Sequence, residues 1–369
     1  MVSARRHRAE PTSATACVTR ARDLVAPPRR EAYDCLTRTT EAFVIHRRHL
    51  GYALRPGTWK HVGRRALWSV TARDPPPSIP LTWPLADDVK ERVRIRWPTR
   101  INPGRPSLGT CVDLIKSGIA AHVPIEHADI PQPDGGVILF HLLDRGRPRR
   151  VVIDTDDEAV LNESATEVDL YFKMQHLREG YGSPHIHPGG YVCLQPALYR
   201  YRWNWRELRR RTRPAFDVYG RFGTGHETQD VRREALSILE GQSRFSFQGG
   251  ASAVWWGEYM DEMCDARVCL DLPGRGEFCY RLVEYLAVGT CVIGPELATE
   301  LPVPLESDVH LARVPRDLEG LVDECERLLG DAALRTTLGQ AAEDYFDRYL
   351  ALEQLGAYYV DTLRRSLET

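Results

Sequence analysis

The stretch VCLDLPGRGEFCYRLVEYLAVGTCVIGPE, residues 268–296, holds two apolar runs separated by a glycine-broken turn and an amphipathic segment. The runs VCLDL and CVIG predict two buried strands. Between them, Phe278 and Leu282 recur at helical spacing and predict a helix that begins near Glu277. Gly289 is a natural terminator of that helix. The stretch therefore predicts a strand–helix–strand unit of a parallel sheet.

The alternation of strands and helices continues on both sides of this unit. Further strands are predicted at 66–70, 135–143, 149–157, 215–222 and 244–250, and further helices at 229–241, 256–266 and 316–331. Residues 185–215, rich in Tyr and Arg, predict a crossing between two such series. The pattern is typical of the α/β class and predicts two doubly wound, Rossmann-like domains that face a cleft.

Shifts in composition divide the chain into four predicted parts. They are a disordered basic tail at 1–30, an N-terminal α/β domain at 31–195, a C-terminal α/β domain at 196–345, and a C-terminal helix at 346–369. The last helix is placed to pack back on the N-terminal domain. The arginine-rich tail is also typical of a transit peptide, but Glu10 and Asp23 favour a plain disordered segment.

The overall composition excludes several classes of protein. The chain has 369 residues, of which 43% are apolar and 27% charged, and its formal net charge is -2. This near-neutral balance does not favour nucleic acid as a partner. The nine cysteines form no C-x-x-C motif, which is typical of reduced thiols in a cytoplasmic protein. No apolar run reaches the roughly 20 residues of a membrane helix, so no integral membrane segment is expected.

The glycine-broken turn is the strongest candidate for a binding site. Pro273-Gly274-Arg275-Gly276 follows a predicted strand, and ligands of open α/β sheets bind outside the carboxyl ends of strands. The glycines let a ligand reach backbone N–H groups, while Arg275 and the helix N-terminus favour an anion such as a diphosphate.

The helix after this turn carries a charged stripe. Glu277, Arg281 and Glu284 are spaced four and three apart, so they share one face. Such a stripe is also compatible with a solvated ion-pair ladder. A carboxylate beside bound phosphate is useful as an acceptor for sugar or ribose hydroxyls. The combination predicts a ligand that has both diphosphate and hydroxyl-rich rings, which is a nucleotide-sugar.

This order of elements, with RLVEYLAVGTCVIGPE at its end, resembles the donor-binding half of the two-domain (GT-B) glycosyltransferases, especially the group 1 and exostosin-like enzymes. The resemblance covers about residues 215–350. It implies that Glu284 binds the ribose of the donor and that Arg221, followed by Gly223 in GRFGTG, meets the diphosphate. A second glutamate of the family would fall at Gly276, and Glu277 stands one residue away.

The resemblance implies an enzyme that moves a sugar from a nucleotide-sugar donor to a glycan, lipid or small-molecule acceptor. The C-terminal domain would bind the donor and the N-terminal domain the acceptor, with no metal or other cofactor. Two alternatives remain open. One is a non-catalytic nucleotide- or carbohydrate-binding protein of the same fold, and the other is a nucleotide-sugar epimerase.

Candidate catalytic side chains lie in both halves of the chain. Asp154-Thr155-Asp156-Asp157 follows a predicted strand, where carboxylates suit a divalent metal, helix starts, or the deprotonation of an acceptor. His187 lies two residues after His185 and is a candidate base. We therefore take Asp154, Asp156, His187 and Glu277 as the candidate catalytic residues and expect no metal site.

Overall fold

The computed structural model describes residues 56–71, 79–101, 106–144, 146–162, 167–189, 191–225 and 230–368. The tail predicted at 1–30 lies outside the described residues. Two sheets with flanking helices make up the described part, so the predicted α/β class is confirmed.

The N-terminal half, up to residue 189, contains one six-stranded sheet. Its elements are α1 (Pro56–Thr71), α2 (Val89–Arg92), β1 (Arg94–Pro98), α3 (Pro106–Ala120), β2 (Ile125–Ala128), β3 (Val137–Asp144), β4 (Arg147–Asp154), β5 (Leu170–Lys173) and β6 (Ile186–Pro188). The strand order is β2-β1-β3-β4-β5-β6. The chain from β4 to β6 pairs in parallel, but β3 is antiparallel to both β1 and β4.

The antiparallel hairpin departs from the doubly wound pattern predicted for this half. Only residues 145 and 146 separate β3 from β4, which is too short for the crossover helix that parallel strands need. Gly146 has a φ of 84°, in the left-handed region that glycine adopts without strain. The tight turn therefore fixes the direction of β4.

The C-terminal half contains a fully parallel five-stranded sheet in the order β11-β10-β9-β7-β8. Its elements are α4 (Pro196–Arg211), β7 (Phe216–Arg221), α5 (Asp230–Gly241), β8 (Phe247–Gly250), α6 (Trp256–Cys264), β9 (Ala266–Leu270), α7 (Tyr280–Val288), β10 (Cys291–Pro295), β11 (Ala312–Val314), α8 (Leu321–Gly330), α9 (Ala332–Tyr345) and α10 (Leu352–Arg365). A π-helical turn, Phe346–Leu350, joins α9 to α10.

The quoted stretch forms β9, α7 and β10, as the sequence predicts. Gly289 ends α7 with a φ of 76°, and its N–H bonds back to the helix. The helix begins at Tyr280 and not near Glu277, because residues 271–279 are irregular and Cys279, the residue before the helix, has an extended backbone.

One prediction of local structure is wrong. Residues 66–70 belong to α1 and form no strand, since His61 and Trp68 are buried on one helical face and Trp68 meets Trp205 edge-on at 4.8 Å. The segment 185–215 joins the two sheets, as the sequence predicts, and about half of it is the helix α4. Proline at the first position of α4 suits a helix start, because the missing N–H would have no partner there.

The last helix, α10, packs against α3 of the N-terminal half through two glycines. A Cβ added to Gly356 would lie 2.1 Å from the carbonyl oxygen of Gly118, and one added to Gly118 would lie 2.4 Å from that of Leu352. The two backbones therefore approach each other more closely than any side chain would allow.

We expect Gly356→Ala to lower the free energy of unfolding by about 1–3 kcal/mol, because the new methyl group forces the helices apart. Gly63, on α1, is the matched control, since a Cβ there meets no atom within 4 Å. Gly63→Ala should be neutral or stabilising by up to about 1 kcal/mol. Urea unfolding compares the two, and equal stability of both variants would show that the contact is not tight.

Candidate functional site

The carboxyl ends of β5 and β10, one strand from each sheet, lead into a shared boundary, which we call the seam. It is formed by residues 173–178 of the N-terminal half against residues 275–278 and 296–300 of the C-terminal half. The N–H of Arg178 donates to the carbonyl of Ala298 (3.0 Å), and the N–H of Glu300 donates to that of His176 (2.9 Å). In α/β proteins this edge is where ligands bind.

The strand order of the C-terminal sheet reverses between β7 and β9, which are neighbours in the sheet but are separated in sequence by β8. A crevice opens at such a topological switch point, outside the carboxyl ends of the two strands. The side chain of Arg281, from α7, lies there. It donates to the Oδ1 of Asp271 (3.1 Å) and to the carbonyls of Arg221 (3.0 Å) and Leu272 (2.7 Å).

Arg221 itself, at the end of β7, is held by a carboxylate of the same half. Its guanidinium donates to the Oε1 of Glu262 at 2.6 Å and to the Oγ of Ser252 at 2.9 Å. Its side chain is 12% exposed. The residue thus lies at the predicted place, with part of its donor set committed to Glu262.

Arg232 also lies at this crevice, without a carboxylate of its own. It donates to the carbonyls of Pro273 (2.7 Å) and Gly223 (2.8 Å). It forms no ion pair with a described carboxylate. Burial, followed by the nearby charge of Arg281, lowers the pKa of Arg232. The switch point therefore carries an excess of half-buried positive charge, which favours an anionic ligand.

The glycines of the turn leave room that side chains of the protein fill, and not the ligand that the sequence analysis expected to reach the backbone there. A Cβ on Gly274 would lie 2.6 Å from Nη2 of Arg232, and a Cβ on Gly276 would lie 2.4 Å from Nε2 of Gln175. The amide of Gln175 also bonds both the N–H and the carbonyl of Phe278, at 3.1 and 2.8 Å. In this structure the turn is thus closed by a side chain from the N-terminal half.

Arg275 is the exposed member of the turn. It reaches across the seam and forms an ion pair with Glu158. The two side chains are 41% and 53% exposed, so water screens the pair and a competing anion can reach it.

Glu284 lies on α7, one turn beyond Arg281, and is 7% exposed. Its Oε1 accepts hydrogen bonds from the indole of Trp256 (2.7 Å) and from the thiol of Cys193 (3.4 Å). Burial raises the pKa of Glu284 to about 7, although both hydrogen bonds favour the charged form. The carboxyl is therefore a buried hydrogen-bond acceptor with a pKa near neutral pH.

Asp154 is completely buried, which does not fit the expectation that it faces the cleft. Its Oδ2 accepts from Tyr171 and from Nζ of Lys173 (2.9 Å), and its Oδ1 accepts from the N–H of Asp156 (2.9 Å). Burial raises its pKa, opposed by the charge of Lys173. With both oxygens occupied and no access to an acceptor, Asp154 anchors the loop that follows it.

The other three candidate catalytic residues occupy separate places. Asp156 is half-buried in the loop after β4, and His187 is half-buried on β6, where burial and then the neighbouring His176 lower its pKa. Glu277 lies before α7 and not on its charged stripe. Its carboxylate pairs with Arg316 at 2.6 Å and accepts from the N–H of Ala298 at 3.2 Å, so it supports the seam.

Sequence reasoning missed Arg232 and Gln175, as well as the two partners of Glu284. The sequence did hold a signal for Arg232, which lies in the first turn of α5, the helix after β7. The start of such a helix lies at the carboxyl edge of the sheet. Gln175 gave no signal in the sequence, since its role depends on a turn 103 residues away in the chain.

Within the described part of the chain, no group of three His, Cys, Asp or Glu side chains is placed to hold a metal ion. Among the same residues, no helix combines the length and the apolar character needed to cross a bilayer.

No protein-family model matches the chain, and no curated protein is similar to it in sequence. Solved glycosyltransferases are similar to parts of its fold. The C-terminal domain of a group 1 glycosyltransferase (LpcC) from Francisella tularensis is 15% identical over 40% of this chain and 92% of that chain, with a TM-score of 0.30. A glycosyltransferase from Rickettsia africae ESF-5 is 13% identical over 54% and 64%, with a TM-score of 0.38.

A third similar structure is AviGT4, a glycosyltransferase involved in avilamycin A biosynthesis. It is 12% identical over 72% of this chain and 91% of that chain, with a TM-score of 0.38. These proteins are glycosyltransferases, the class that the resemblance in the sequence indicated. The likeness is too loose to transfer the role of any residue, so the geometry of the chain itself has to carry the function.

Proposed function

We propose that this protein transfers a sugar from a nucleotide-sugar donor to an acceptor. The observation that carries the proposal is the excess of arginine at the switch point of the parallel sheet, where Arg221, Arg232 and Arg281 converge. Arginine binds phosphate oxygens through a rigid fork of donors, so this cluster suits a diphosphate.

The same charges suit the chemistry of glycosyl transfer. When the bond between the sugar C1 and the diphosphate oxygen breaks, the sugar becomes oxocarbenium-like and negative charge builds on the departing diphosphate. Arginines already fixed to backbone carbonyls stabilise that charge without reorganising at the moment of reaction. Glu284, beyond Arg281 on the same helix, is our candidate acceptor for the ribose hydroxyls of the donor.

The acceptor would bind from the N-terminal side of the seam. Asp156 and His187 are the candidates for taking its proton, because both are half-buried on that half of the molecule and neither is fixed in a buried ion pair. Asp154 is better suited to hold the loop of Asp156 in position.

Arg232→Ala should weaken the binding of the preferred nucleoside diphosphate about 10–100-fold, the value of one to two charge-assisted hydrogen bonds. Titration calorimetry with UDP, GDP, ADP and TDP identifies the base and measures the loss. Arg244→Ala is the control, since Arg244 is an exposed arginine paired with Asp323 and Glu326 on α8. If no nucleoside diphosphate binds the wild-type protein, the proposal is wrong.

A second candidate is binding without turnover, as in a nucleotide- or carbohydrate-binding protein of the same fold. Two features favour it. The closed turn at Gly276 removes a predicted binding site for the diphosphate, and the burial of Asp154 removes a predicted base for the acceptor. Release of free sugar or formation of a glycosylated product from a bound nucleotide-sugar separates the enzyme from the binding protein.

A further inference from the structure

Three consecutive acidic residues, Asp156, Asp157 and Glu158, follow β4; we call them the acidic loop. The loop lies across the seam from the turn that carries Arg275. Two hydrogen bonds to buried residues hold the loop in place. The N–H of Asp156 donates to Asp154, and the hydroxyl of Tyr191 donates to Asp157 at 2.8 Å. The loop is therefore a fixed, negatively charged surface that faces Arg275.

Several groups that would bind a phosphate at this turn already have an internal partner. The cation Arg275 is paired with Glu158, and its pKa is raised first by that hydrogen bond and then by the loop's charges. The N–H of Phe278, near the start of α7, is bonded by the side-chain oxygen of Gln175. The space that Gly276 leaves is filled by the amide of Gln175.

We propose that Glu158 and Gln175 are internal competitors that occupy the diphosphate subsite until a donor displaces them. The inference rests on the proposed function, since it concerns the same edge. Carboxylate and amide oxygens stand in for phosphate oxygens, and displacing them releases the N-terminal half from the turn. Donor binding and opening of the seam are then one coupled event.

The contacts of Glu158 and Gln175 with the turn are weak, so a diphosphate can displace them. The Glu158–Arg275 pair is exposed on both sides, and ion pairs of this kind hold loosely in water. The bonds of Gln175 are neutral, so a doubly charged diphosphate makes stronger bonds to the same donors.

The test compares affinities for inorganic pyrophosphate and for the preferred nucleoside diphosphate by calorimetry. Glu158→Gln keeps the shape of the side chain and removes its charge, so both ligands should bind about 3–10-fold more tightly. Glu326→Gln is the matched control, because it removes the same charge and breaks another exposed ion pair, to Arg244, away from the seam and without freeing Arg275. Its affinities should stay within about twofold of the wild type.

Hydrogen exchange gives an independent reading of the coupling. Pyrophosphate should speed the exchange of the amide of Glu300, because opening of the seam breaks its bond to the carbonyl of His176. The amide of Phe278 should stay protected, because it exchanges its bond to Gln175 for one to a phosphate oxygen. Unchanged or slower exchange at Glu300 overturns the inference, as does an equal gain in affinity for Glu158→Gln and Glu326→Gln. If the wild-type protein binds a diphosphate and Glu158→Gln gains nothing, this inference fails alone. If no variant binds any diphosphate, the proposed function fails with it.

Discussion

Glu284→Gln should be more stable than the wild-type protein above pH 7, by up to about 3 kcal/mol, and equally stable near pH 4. Each pKa unit corresponds to about 1.4 kcal/mol. The pKa of Glu284 rises from 4.5 to about 7 because the folded chain buries the carboxyl, so folding prefers its neutral form. Glutamine keeps the shape of the side chain and an oxygen for the indole of Trp256, and it never takes a charge.

The sign follows from where the proton is bound. Below pH 4.5 the carboxyl is neutral in both the folded and the unfolded chain, so its burial makes its full contribution to the free energy of unfolding. As pH rises towards 7 the unfolded chain releases the proton before the folded chain does, so this contribution is lost and stays lost at higher pH. The stability of wild type relative to Glu284→Gln should therefore fall between about pH 4.5 and 7 and level off above.

Urea unfolding between pH 4 and 8.5 measures this difference directly. Glu234→Gln, an exposed position on α5, is the control and should show no such pH dependence relative to wild type. A flat difference between Glu284→Gln and wild type across the range would mean that the carboxyl is solvated. The same variant should bind the nucleoside diphosphate more weakly, because a neutral amide is a poorer acceptor for ribose hydroxyls than a carboxylate.

Arg206→Ala should lower the free energy of unfolding by about 3 kcal/mol. Arg206, on α4, is 1% exposed. Its guanidinium donates to the Oδ2 of Asp347 and to the carbonyl of Ala287, both at 2.7 Å, and it lies 4.4 Å from the ring centre of Trp203. Removing it leaves a buried carboxylate that, among the described residues, has Arg202, at 3.3 Å, as its one remaining ion-pair partner. An uncompensated buried charge is costly because desolvation is no longer offset.

Arg210→Ala is the matched control for that loss. Arg210 is on the same helix and pairs with Glu343, but its side chain is 52% exposed. Its removal should cost less than about 1 kcal/mol. The double variant Arg206→Met with Asp347→Leu should recover most of the stability, since it removes both charges together. Equal losses for Arg206→Ala and Arg210→Ala in thermal or urea unfolding would contradict the buried pair.

The sequence was most informative where the signal is local. Gly289 and the flanking apolar runs predict β9, α7 and β10 because a helix end and a buried strand each leave a mark within a few residues. The sequence predicts a strand at 66–70 because a short apolar run is compatible with either a strand or part of a helix. What decides it is packing against Trp205, far away in the chain.

The candidate site shows the same division. Strand ends place Arg221 and the 273–276 turn at the correct edge, since parallel strands put their carboxyl ends on one side. The identity of the groups around the turn was not predictable. Gly276 is compatible with an approaching ligand or an approaching side chain, and only the fold shows that Gln175 occupies the space.

The contact between Gly118 and Gly356 has a consequence for dissecting the protein. The chain leaves the first sheet at β6, builds the whole second sheet, and then returns its last helix to cover α3. A fragment that stops before α4 would therefore expose apolar surface that its own residues never cover. Separate expression of the N-terminal half therefore calls for grafting Leu352–Arg365 onto it through a linker. A deletion from the carboxyl terminus would first uncover α3, in the N-terminal half of the chain.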